Sequence, residues 1–226
     1  MIESRLRNVT DHIQTACQRA GRNSKEIEII LVTKGVDLKK MEEAYQLGFR
    51  GFGENRVQDL VSKQELLPED IRWHFIGYLQ TNKVKFLMEN VILIHSCDRL
   101  ELARELQKQA EKRNRSFEIL LQVNTSGEET KHGFQPDAVE EAAFAVVGLD
   151  RLRLRGLMTI GPNTRDEDQI RRSFALLRTL RDQMRYKFSS VDWYYLSMGM
   201  SADFEIAIEE GANLLRIGSA VFGARP

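Results

Sequence analysis

Cysteine is scarce in this chain. Only Cys17 and Cys97 occur among 226 residues, too few for a disulfide framework, and a reducing cytoplasm is the expected setting. Charge imbalance is absent as well, with 33 basic and 33 acidic side chains. A neutral chain has no broad electrostatic pull toward nucleic acid or an anionic membrane, so neither is an expected partner. No apolar stretch approaches the ~20 residues of a membrane span. The opening MIESRLRNVT lacks the apolar segment of a secretory leader, so the glycosylation patterns at Asn8-Val9-Thr10 and Asn124-Thr125-Ser126 carry no weight. No pair among His12, His74, His95 and His132 has a metal-ligand spacing with cysteine or carboxylate, so no metal is expected. Two nucleotide signatures are also missing. GFGENR, 51–56, fails G-x-G-x-x-G at its last position, and GSAVFGAR, 218–225, lacks the Gly-Lys-Ser/Thr of a P-loop.

What the chain does have is alternation. Ile2, Leu6, Val9, Ile13, Ala16 and Ala20 recur at helical spacing and Gly21 follows as a C-cap, which predicts an opening amphipathic helix. Short apolar runs then alternate with helical patterns. Strands are expected at 28–33, 49–53, 73–76, 91–96, 117–123, 152–159, 193–197 and 214–217. Helices are expected at 38–47, 56–66, 81–88, 99–113, 136–147, 166–186 and 202–210. Several strands are nearly continuous in Ile, Leu and Val, which suits burial on both faces and parallel pairing. Eight such units predict a closed (β/α)8 TIM barrel, with the extra N-terminal helix covering the last strand. No linker or repeat is visible, so residues 1–226 are expected to form one domain; with helices outside the barrel and no obvious extra apolar face, a monomer is expected.

Barrel active sites gather where strands hand over to loops at the carboxyl end. Lys34 stands at the first handover, just past the apolar run IEIILV. Alone it reads as an ordinary surface lysine. His74, within the third strand, reads as a core histidine, and Cys97, after the fourth, as a small core residue. Two segments carry more information. LSMGMS, 196–201, puts two serines and a glycine at the seventh strand end, and RIGS, 216–219, puts a glycine and a serine at the eighth. Small residues there let backbone N–H groups approach an anion, and phosphate commonly binds at these two handovers. A lysine facing a phosphate cradle suits pyridoxal phosphate (PLP), which needs an amine for its aldehyde and a nest for its phosphate.

At these residues the sequence resembles the pyridoxal phosphate homeostasis proteins. The matching segments are LVTK (31–34), FGENRVQ (52–58), WHFIGYLQTNK (73–83), HSCD (95–98), QVNTSGEETKHGF (122–134), RGLMTIGP (155–162), LSMGMSADFEIAI (196–208) and RIGSAVFG (216–223). They stand in family order across nearly the whole chain, and KGVD after the lysine departs from the family pattern. The resemblance implies a barrel like the N-terminal half of alanine racemase, PLP fold type III. It implies that Lys34 carries PLP covalently as an internal aldimine. Ser197, Gly199, Gly218 and Ser219 would hold the phosphate, with Met198 and Ser201 close by. Arg216 would face the pyridine nitrogen, and Asn55, His74 and Met158 would line the pocket around the ring.

Two readings then compete. Racemisation needs two positioned bases, and in alanine racemases the second comes from a C-terminal domain for which this chain, ending at Pro226, is expected to leave no room. A guanidinium beside the pyridine nitrogen also makes the ring a weaker electron sink. The expectation is a PLP carrier and regulator rather than an enzyme, passing PLP transiently to PLP-dependent apo-enzymes. The alternatives are an amino-acid racemase or lyase of low activity, and a cofactor-free barrel that binds another phosphate ester.

Overall fold

The computed structural model describes residues 1–87 and 90–223. Within them eight parallel strands close into a barrel in chain order. They are β1 Glu28–Val32, β2 Gly51–Glu54, β3 Arg72–Phe75, β4 Val91–Cys97, β5 Phe117–Gln122, β6 Leu152–Met158, β7 Tyr195–Met200 and β8 Leu214–Ile217. The ring is sealed between β1 and β8, in register from Glu28↔Leu214 to Leu31↔Ile217. Its α-helices are α1 Ile2–Arg19, α2 Leu38–Gln46, α3 Val57–Gln64, α4 Leu100–Lys112, α5 Val139–Val147, α6 Glu167–Lys187, α7 Phe204–Glu209 and α8 Ser219–Phe222. The expected TIM barrel is the fold found.

α1 buries Ile2, Leu6, Val9, Ile13 and Ala16, one face of a 3.6-residue period, and packs against α7 and α8. Its end is the predicted one: Gly21 takes φ +64°, and Arg22 N–H returns to the Cys17 carbonyl at 2.9 Å. Arg22 then ties α1 to the far side of α7 by donating to the carbonyls of Ile208 and Ala212 at 2.8 and 2.7 Å.

Three elements differ from expectation, each for a physical reason. The segment after β3 is a 3-10 helix, Thr81–Phe86, rather than an α-helix; the predicted end at Met88 lies outside the described residues. Arg113 from the end of α4 donates to the carbonyls of Lys85 and Leu87, so an arginine takes acceptors that a continuing helix would use. β7 runs to Met200 instead of ending at Ser197, because LSMGM is held between β6 and β8 despite its small residues. Trp193, expected to open that strand, packs outside it and donates its indole N–H to the Phe188 carbonyl at 3.2 Å. The short α8 carried no periodic signal.

Two cores result. The larger lies between strands and helices. A smaller one fills the barrel, where Ile30, Leu93, Leu120, Met158 and Leu214 meet, with Tyr195 against them. Each fully buried side chain of this size contributes about 1.5–3 kcal/mol, so the barrel is a packed scaffold and its carboxyl rim is held rigidly.

Candidate functional site

β1 ends at Val32 and the chain turns at once. Val36 N–H donates to the Thr33 carbonyl at 3.0 Å, and Gly35 takes φ +67°. Lys34 sits in that turn, half-buried, at the carboxyl end of the barrel. Its ammonium makes no hydrogen bond or ion pair among the described residues. The strand end beside it is anchored by a buried polar cluster. Glu54, fully buried at the end of β2, accepts from Thr33 Oγ1 at 2.7 Å and from Lys63 Nζ at 2.5 Å. Lys63 also donates to the Thr33 carbonyl at 2.7 Å. Lys63 thus holds the backbone next to Lys34.

β8 leaves the barrel beside β1. Since Leu31 pairs with Ile217, Lys34 and the Gly218–Ser219 turn emerge from adjacent strand ends. A Cβ on Gly218 would lie 3.3 Å from Val32 Cβ, so glycine lets the two strands approach. On β7, Gly199 has φ +92°, and a Cβ there would fall 2.5 Å from Ala207 Cβ; only glycine serves. Ser201 Oγ accepts from the N–H groups of Gly218 and Ala220, both at 3.2 Å. Backbone donors therefore converge on one oxygen, as they do in phosphate nests. Ser219 is exposed beside them. Asp203 accepts the Met200 N–H at 2.6 Å, and burial raises its carboxyl above the ordinary range, against the opposing pull of that hydrogen bond.

Inside the barrel wall lies a row of buried polar side chains. Arg216 donates from one terminal nitrogen to Ser197 Oγ at 2.6 Å and from the other to the Thr159 carbonyl at 2.7 Å. Ser197 Oγ meets His95 Nδ1 at 2.8 Å, and His95 Nε2 meets His74 Nδ1 at 3.0 Å. Burial pulls the Arg216 guanidinium down to about 10, still charged at neutral pH. His74 is lowered to about 3, chiefly by burial and then by Arg72. His95 is held well below its ordinary value by burial, His74 and Arg216, in that order. Burial pushes the Cys97 thiol up to about 12, so it is no nucleophile.

The structure brings Lys34, Gly199, Ser201, Gly218 and Ser219 to one rim, with Arg216 at its floor. Asn55 joins them from the end of β2, half-buried, with its Oδ1 buried and without a partner among the described residues. Gly77 closes on its backbone; a Cβ at 77 would fall 2.1 Å from the Asn55 carbonyl oxygen. Other expected residues stand farther back. His74 is buried behind His95, Met158 belongs to the inner core, and Met198 packs in the outer core toward the helices, leaving its backbone to the rim. The Ser197 hydroxyl is engaged by Arg216 and His95. Sequence reasoning missed His95, the Glu54–Lys63 pair and the Ala220 N–H. A signal for His95 existed: on a strand whose Leu93 faces the barrel interior, His95 faces it too.

With this geometry in hand, its relatives are informative. The family described as "Alanine racemase, N-terminal domain" matches residues 5–226. A pyridoxal phosphate homeostasis protein of Aquifex aeolicus is 46% identical over 222 residues, covering 98% of this chain and 97% of that protein. The protein of the same name from Escherichia coli is 40% identical over 233 residues, covering 99% and 97%. PipY of Synechococcus elongatus, solved without PLP and with PLP bound, is 32% identical, covers 99% of this chain and 100% of its own, and superposes with TM-scores of 0.88 and 0.85. The chain belongs to the pyridoxal phosphate homeostasis protein family, built on the alanine racemase N-terminal barrel.

Proposed function

We propose that this protein binds PLP reversibly, held covalently on Lys34, and regulates the intracellular pool of this reactive aldehyde, passing it to PLP-dependent apo-enzymes. The carrying observation is the unengaged Lys34 amine one strand away from the converging N–H groups at Gly218 and Ala220. The name shared by the relatives and the PLP-bound PipY support the same reading.

The residues present fit the cofactor. Lys34 supplies the amine. Gly199, Ser201, Gly218 and Ser219 offer small side chains and backbone donors to a phosphate. Asn55 Oδ1, buried and unpartnered, is free to take a donor from a ligand or its water. When bound, PLP supplies an aldehyde for amine capture and a ring able to withdraw electrons. Arg216 limits the second capacity. A buried guanidinium can only donate, so it favours an unprotonated ring nitrogen, and it cannot lend a proton there. That favours a carrier over a racemase or lyase. One domain, a cytoplasmic setting and a monomeric unit belong to the same proposal.

Transfer tests it. Protein loaded with PLP and freed of excess is mixed with a PLP-dependent aminotransferase in its apo form. The expected result is recovery of aminotransferase activity, while the loaded protein alone turns over no amino acid. Sustained amino-acid turnover by the protein itself, lost in Lys34→Ala, would replace the carrier with an enzyme.

A further inference from the structure

A buried guanidinium is ordinarily met by a carboxylate. Arg216 is not. Its contacts are a serine hydroxyl and a backbone carbonyl, and behind the serine stand two imidazoles. Asp203 acts on it only at a distance, and its Oδ1 is occupied by the Met200 N–H.

Counting donors and acceptors orders the protons in this row. A guanidinium only donates, so Ser197 Oγ accepts from Arg216. The Ser197 hydroxyl hydrogen then needs an acceptor, and His95 Nδ1 is the one within reach among the described residues. His95 therefore carries its proton on Nε2 and donates it to His74 Nδ1. His74 in turn carries its proton on Nε2, an atom buried without a partner among the described residues. Reversing the direction would leave two buried groups unpaired among the described residues, the serine hydrogen and the His74 Nε2 lone pair, against the single His74 N–H of this order.

We infer that Ser197, His95 and His74 are positioning residues for Arg216: they aim its guanidinium at the rim through neutral partners, and the Ser197 hydroxyl serves this row rather than the phosphate. Neutral partners matter because a carboxylate in the same place would offset the charge that Arg216 presents to a ligand. The row holds the arginine by hydrogen bonds and leaves its full positive charge facing the ring nitrogen. This inference rests on the PLP reading for its meaning, and on geometry alone for the hydrogen-bond order.

Two measurements on the full chain separate those layers. In the ligand-free protein labelled with nitrogen-15 in histidine, both buried imidazoles are expected to be neutral with the proton on Nε2 at pH 6 to 8. A proton on Nδ1 of His95 would overturn the row. The second measurement compares affinity for PLP with affinity for pyridoxal, which has the same ring and aldehyde but no phosphate. Ser197→Ala and His95→Leu are expected to weaken both ligands by the same factor, about tenfold, the size of one lost hydrogen bond to a charged group. His95→Asn, which keeps an acceptor for the serine hydroxyl, is expected to bind both within about twofold of wild type. If Ser197→Ala weakens PLP and leaves pyridoxal unchanged, Ser197 is a phosphate ligand and the inference is wrong. Unchanged affinity for both ligands overturns it equally. A wild-type protein that binds neither aldehyde refutes the PLP reading instead, and the nitrogen-15 spectrum still decides the row.

Discussion

Lys34 and His74 sit on neighbouring parts of one barrel under opposite demands. The lysine is half-buried at the rim, without a partner among the described residues; the histidine is sealed inside the wall. That sealing has a consequence for pH. Unfolded, His74 takes a proton near its ordinary 6.5; folded, burial and then Arg72 hold it to about 3. Between those values the unfolded chain binds the extra proton, so stability falls as pH falls from about 6.5 and levels off near 3. The slope is about 1.4 kcal/mol per pH unit, which makes the protein about 2 kcal/mol less stable at pH 5 than at pH 6.5 from His74 alone. His95 acts in the same direction. Urea midpoints at the two pH values check this; a midpoint that does not move contradicts neutral buried imidazoles. The apolar run placed Lys34 at a strand end, but only the small residues at 196–201 and 216–219 and the family resemblance singled it out from an ordinary surface lysine. His95 was not, because Ser96 and Cys97 stand nearer the strand end, and only the inward face of Leu93 gives its direction away.

At the scale of elements, the rim is held by pairs of segments. β2 and α3 hold β1 through Glu54, Lys63 and Thr33. Removing Lys63 strands a fully buried carboxylate, so Lys63→Ala is expected to cost about 3–5 kcal/mol in chemical denaturation. The double change Glu54→Leu with Lys63→Met is expected to recover most of that loss, because replacing both charges leaves nothing unpaired. If the single variant loses less than about 1 kcal/mol, the pair is no anchor. Strands rich in Ile, Leu and Val could be placed from sequence because burial on both faces demands such runs. The end of β7 could not, since Gly199 interrupts the apolar pattern and is drawn into the strand by β6 and β8. The 3-10 segment at 81–86 was likewise decided by a distant side chain, Arg113.

Across the whole molecule the site is a property of closure. Lys34 and the Gly218 turn are 184 positions apart in sequence and become neighbours only when β8 seals against β1. A ligand that bridges them binds the closed ring and not the unfolded chain. PLP at a hundred times its dissociation constant is therefore expected to add about 2.7 kcal/mol to unfolding, in a single transition. Lys34→Ala is expected to lose most of that gain while keeping its ligand-free midpoint. A ligand-induced shift that survives the substitution would place PLP elsewhere. The fold class was legible because alternation and length leave few architectures open. The hydrogen-bonded floor of the site was not, since it joins β3, β4, β7 and β8 across the barrel.

Reduction with borohydride in the presence of PLP, followed by peptide mapping, tests the central claim most directly. The account predicts one cofactor fixed per chain, on Lys34 in the segment 31–36. Label on another lysine, or none while PLP remains bound, would contradict it.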